Sequence, residues 1–117
     1  MKASMVLVLG AVLGASQMAA AAEDAVARGK RLFTESKCTM CHSVAGKGNP
    51  KGALDGVGAR LVPADLRKWL VEPKVMAAKA KAKVERKPAM PSFETLKKED
   101  LDALVAYLAT LKTPPAK

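Results

Sequence analysis

The apolar positions of this chain mark out an N-terminal apolar run, four helical segments and two stretches that resist regular structure. Between Asp24 and Lys37, the residues Val26, Gly29, Leu32 and Phe33 fall on one face. That spacing predicts a helix, and Glu23 with Asp24 suits its N-terminus electrostatically. Pro63 fits the first turn of a second helix reaching about Val71, with Leu66, Trp69 and Leu70 at helical spacing and Pro73 as its stop. From Val75 to Arg86 the alanines and lysines favour helix. Only a weak stripe of Val75, Met76, Ala80 and Val84 offers a buried face, so an exposed and marginal helix is expected. The clearest pattern is the last, about Glu99 to Leu111, where Leu101, Leu104, Val105, Leu108 and Leu111 form a continuous apolar face ended by Pro114 and Pro115. Ser43 to Gly58 is interrupted by Gly46, Gly48, Asn49, Pro50, Gly52 and Gly56, which predicts a loop wrapped around something, with Leu54 and Val57 as apolar anchors. Lys87 to Phe93, with Pro88 and Pro91, cannot be helical throughout. No segment alternates with a period of two, so the expected fold class is all-α.

Residues 1–22 are set apart from the fold because they read as a secretory signal peptide. Lys2 supplies the positive start, Met5 to Leu13 the apolar run and Ala20-Ala21-Ala22 the small-residue cleavage site. Gly10, Gly14, Ser16 and Gln17 dilute the ~20 consecutive apolar residues that an uncleaved anchor needs. Cleavage after Ala22 leaves residues 23–117, 95 residues and one domain. A domain of that size has little apolar surface to spare. Its rings are Phe33, Trp69, Phe93 and Tyr107, so a bound group filling the middle is expected.

The formal charge of +9 falls to +8 once Lys2 is removed. Export, and lysines that are not interleaved with stacking rings, argue against nucleic acid. A basic surface outside the cytoplasm meets acidic protein faces or anionic lipid. The lysines between Lys74 and Lys87 read either as a solvated face or as a docking surface beside the proline-rich loop.

The string Cys38-Thr39-Met40-Cys41-His42 carries the chemistry, because C-x-x-C-H is the attachment signature of c-type haem. Two thiols one helical turn apart can each add to a vinyl group, and the next residue then aims an imidazole at the iron. Three other readings compete. A disulfide would close too short a loop to stabilise much. A thiol redox pair lacks the expected βαβ pattern, and a closed zinc site lacks further Cys or His ligands.

On these residues the chain resembles the class I c-type cytochromes over nearly all of residues 23–117. The likeness runs through Gly29 and Phe33, CTMCH, Lys87-Pro88-Ala89-Met90-Pro91, and Asp100-Leu101 to Tyr107-Leu108. It implies a cytochrome c-like fold in which the first and last helices cross closely, a small residue beneath an aromatic one. It also implies one covalent haem c bound through Cys38 and Cys41, with His42 as proximal iron ligand. The family usually carries Gly-Pro-x-Leu after the haem motif, whereas this chain reads Pro50-Lys51-Gly52-Ala53-Leu54. A carbonyl between Pro50 and Ala53 is therefore expected to take the second ring nitrogen of His42.

His42 is the only histidine, so the sixth ligand falls to a methionine. Met40 lies inside the attachment motif, Met76 sits in the Ala/Lys segment, and Met90 matches the family's Met-Pro; an open sixth position is the remaining alternative. Met90 is the expected ligand. The resemblance, together with the export signal and the basic surface, implies a periplasmic one-electron carrier, monomeric and not inserted in a membrane after cleavage, whose partners are redox proteins with acidic docking faces. No residue set suggests an enzyme; with His42 occupied, no histidine remains as a general base. Two rivals stand: a haem-bearing subunit of a dehydrogenase or oxidase complex, and a five-coordinate gas-binding or sensor protein.

Overall fold

A computed structural model describes residues 23–80 and 89–114. The signal segment 1–22, the second half of the Ala/Lys segment with Lys81, Lys83, Lys87 and Pro88, and the terminal Pro115 lie outside the described residues. Among the described residues five helices follow in order: α1 (Ala25–Glu35), α2 (Val57–Arg60), α3 (Pro63–Val71), α4 (Pro73–Lys79) and α5 (Lys98–Ala109). Between α1 and α2 lie β1 (Ser43–Val44), β2 (Lys47–Gly48) and two single 3₁₀ turns, Cys38–Met40 and Pro50–Gly52.

The core is the crossing of α1 with α5, closed from one side by α3. Leu32 and Phe33 of α1, Leu66 and Leu70 of α3, and Leu104 and Leu108 of α5 are all buried together. Gly29 lies at the crossing point. A Cβ built there would sit 2.0 Å from the Ala103 carbonyl oxygen and 2.6 Å from Tyr107 Cβ, so the two backbones approach closely only because no side chain intervenes. The Phe33 and Tyr107 rings meet edge to face with centroids 5.7 Å apart. The small residue beneath an aromatic one is therefore Gly29 beneath Tyr107. Ion pairs Arg28–Asp100, between α1 and α5, and Arg67–Asp102, between α3 and α5, bridge the same packing from its polar edge.

The expected helix at Pro63–Val71 is found with those bounds, and the last helix starts one residue early and stops at Ala109. Pro73 departs from expectation. It does end the run from α3, but it also opens α4, because a proline at the first helical position forfeits an N–H that has no intrahelical acceptor anyway. α4 is otherwise largely exposed: Pro73 is its one buried residue, and Val75 is 48 % exposed. The glycine-rich loop contains more order than its composition predicts. β1 and β2 pair antiparallel, Ser43 with Gly48 and Val44 with Lys47, around a turn whose two central residues, Ala45 and Gly46, both have positive φ. Strands of two residues are too short to display alternation, and the fold remains all-α.

Candidate functional site

The attachment motif is placed by the end of α1. After Glu35 the chain turns through Lys37, which adopts a left-handed conformation with φ 59°, and re-enters helical geometry at Cys38. Met40 N–H donates to Lys37 C=O at 3.1 Å, Cys41 N–H to Cys38 C=O at 3.1 Å and His42 N–H to Cys38 C=O at 2.8 Å. Cys38 to His42 is thus one helical turn. Cys38 is half-buried against the core, and Cys41 is exposed. Burial pushes the Cys38 thiol above its ordinary pKa, with the neighbouring Cys41 adding to the effect.

His42 is held by the loop that follows it. Its Nδ1 lies 2.9 Å from the Gly52 carbonyl oxygen. A carbonyl only accepts, so Nδ1 carries a proton, which in the neutral ring leaves the Nε2 lone pair for a metal. Gly52 is thereby the carbonyl that the displaced Pro50 left open between Pro50 and Ala53. Its own place is tight: a Cβ there would sit 2.0 Å from the Cys41 carbonyl oxygen and 3.1 Å from His42 Nδ1. Asn49 fixes the loop against the motif. Its N–H reaches the Thr39 and His42 carbonyls at 3.1 Å each, its Nδ2 donates to Met40 C=O at 3.1 Å, and its Oδ1 accepts from Lys51 N–H at 3.0 Å. Asn49 carried no signal beyond loop propensity, because its role depends on which carbonyls fold back to it.

The three methionines within residues 23–117 are placed very differently. Met40 is 69 % exposed, and Met76 is half-buried on α4. Met90 packs against the same apolar cluster as Cys38 and lines an open cleft of about 520 Å³ with Val71, Pro73 and Val75. Cys38, Cys41 and His42 are brought together on one turn; Met90 shares with Cys38 a place against the core cluster.

These groups fit a haem. Two thiols stand one turn apart, an imidazole has its distal nitrogen free, a thioether lies at the core edge, and Val44, Leu54, Val71 and Leu96 are apolar groups that touch the core while keeping some exposure. Among the described residues no cluster of His, Cys, Asp and Glu forms an alternative metal site.

An all-α architecture with crossed terminal helices and a one-turn C-x-x-C-H segment defines a class of haem-binding electron carriers. The sequence model of the cytochrome c family matches residues 26–112, and the chain belongs to that family as a class I c-type cytochrome. Among curated proteins it is similar to cytochrome c oxidase subunit 2 of Alkalihalophilus pseudofirmus, 31% identical over 94 residues, which cover 73% of this chain and 25% of that relative. The chain thus spans about a quarter of the length of the curated relative it matches. No solved structure matches it. No helix among the described residues is long and apolar enough to cross a membrane.

Proposed function

We propose that this protein is a periplasmic one-electron carrier with a single haem that Cys38 and Cys41 would hold covalently and whose iron His42 and Met90 would bind. The observation that carries the reading is the one-turn Cys38–His42 segment, with the imidazole oriented by Gly52 at 2.9 Å. Residues 1–22 direct export and are removed, leaving the domain 23–117 as a monomer that is not itself an enzyme.

A haem in this site supplies one-electron chemistry, its iron alternating between ferrous and ferric. The Cys38 and Cys41 thiols would hold it, each by net addition of S–H across a vinyl group, which needs no external oxidant. The Gly52 carbonyl holds the Nδ1 proton, which raises the basicity of Nε2 and fixes the ring plane. The Met90 thioether would favour the ferrous state and would keep small ligands off the iron. The exposed lysines, Lys79 among them, attract acidic redox partners.

Redox titration of the haem-loaded protein is expected to follow a single one-electron wave, with about 59 mV per decade, and the reduced protein is expected to leave carbon monoxide unbound. Met90→Ala is expected to lose the long-wavelength charge-transfer band of Met-ligated ferric haem, bind carbon monoxide and show a lower potential, while Met76→Ala keeps the parent behaviour. Carbon monoxide binding by the parent, or an open site in Met76→Ala alone, contradicts the ligand set. The likeness to an oxidase subunit favours a second reading, in which the chain serves as the haem-bearing subunit of a larger oxidase complex. Copurification with such a complex in stoichiometric amount supports it, and a freely diffusing monomer refutes it.

A further inference from the structure

Residues 89–93, which carry Met90, have no regular secondary structure, so their position must come from tertiary contacts. Pro91 keeps Met90 extended, but an extended residue can still lie anywhere. Two hydrogen bonds decide where. Phe93 N–H donates to the Leu70 carbonyl at 2.8 Å, and the Ser92 hydroxyl donates to the Val71 carbonyl at 2.6 Å. Both acceptors belong to the last turn of α3, whose carbonyls have no partner within the helix. The same hydroxyl accepts from Glu94 N–H at 3.3 Å, so it joins two segments 21 residues apart and shapes the turn after them. The far side of this connection is rigid, since Leu66 and Leu70 anchor α3 in the core at 2 % and 5 % exposure. Val71, Met90 and Ser92 also line the same cleft, so the tie lies at the edge of the space that Met90 faces.

We propose that Ser92 is the positioning residue for Met90: its hydroxyl pins the ligand-bearing strap to the C-terminal carbonyl of α3 and slows departure of the thioether from the iron. The inference rests on Met90 being the sixth ligand. Ser92 touches neither iron nor haem in this account; it acts through the backbone two residues before it. Removing one exposed hydroxyl–carbonyl bond that forms only when the strap is docked should speed undocking by roughly threefold to tenfold.

The test mixes the ferric, haem-loaded protein with imidazole at saturating concentrations, where the observed rate is limited by Met90 dissociation. Ser92→Ala is expected to raise that limiting rate roughly threefold to tenfold, and Ser92→Thr, which keeps the hydroxyl, to restore it to near the parent value. Thr110→Ala serves as the control, because it removes a hydroxyl–carbonyl bond of equal length, 2.6 Å to Tyr107, at the far end of α5. It is expected to leave the rate unchanged. A parental rate in Ser92→Ala, or an equal acceleration in Thr110→Ala, overturns the positioning role. If Met90→Ala retains the parent charge-transfer band, the ligand reading itself fails and the inference falls with it, a result read independently of any Ser92 variant.

Discussion

Replacing Gly29 by alanine sets two opposed effects against each other at the α1–α5 crossing. Helix propensity alone favours alanine by about 1 kcal/mol. Packing opposes it, because the new methyl would lie 2.0 Å from the Ala103 carbonyl oxygen. Even the close C–H···O contacts of proteins keep carbon and oxygen about 3.3 Å apart, so the helices must separate by more than about 1 Å. The obstacle is backbone, so no rotamer change relieves it. Overpacking of this kind costs about 1–3 kcal/mol, and a backbone obstacle belongs at the upper end. The net expectation is a loss of about 2 kcal/mol. With a guanidinium dependence of about 2–6 kcal/mol/M for a chain of this size, the unfolding midpoint should fall by about 0.3–1 M. Ala27→Gly calibrates the opposing effect, since Ala27 is exposed on the same helix and should lose only the propensity contribution. A midpoint for Gly29→Ala at or above that of the parent would refute the reasoning, because propensity would then outweigh a contact too loose to matter.

Two further outcomes follow from charge. Glutamine at Lys79, Lys81 and Lys83 should flatten the fall of bimolecular electron-transfer rate with rising salt; an unchanged salt dependence returns these residues to a solubilising role. The Arg31 guanidinium, donating to both Glu23 carboxylate oxygens with its shortest bond 2.8 Å, holds that carboxyl below its usual 4.5. A lowered folded-state value means that the stabilisation is complete above 4.5 and is lost as pH falls through the folded pKa. The midpoint difference between Glu23→Gln and the parent should therefore be present at neutral pH and close in acid; a gap persisting at about pH 2 contradicts the pairing.

What was legible in the sequence follows from the range of the forces involved. α3 and α5 were readable because their apolar faces repeat at helical spacing and proline punctuates them, and such signals are local. Gly29 was readable as a close-approach site because glycine inside a helix is costly without one. Pro73 reads as a stop alone, since a proline after one helix and before another looks the same from either side. The β1–β2 hairpin escaped notice because two-residue strands leave no period, and its turn places Ala45 at φ 52°, a conformation alanine does not advertise. At the site, Cys38, Cys41, His42 and Met90 are expectations of motif and resemblance. The partners that orient them were not: Gly52 was one of several candidate carbonyls, and Asn49 and Ser92 act through groups that meet only after folding. Hydrogen bonds between segments carry no periodicity for a reader of the chain to find.

The central claim, a single haem bonded through Cys38 and Cys41, is tested most directly by the mass of the denatured protein. The protein is produced with haem-maturation machinery in an oxidising compartment, unfolded and freed of any dissociable group. The account predicts cleavage after Ala22, a chain heavier by one haem, and that added mass localised to the peptide holding Cys38 and Cys41. The same peptide recovered under those conditions without haem, its cysteines free or joined as a disulfide, would contradict it.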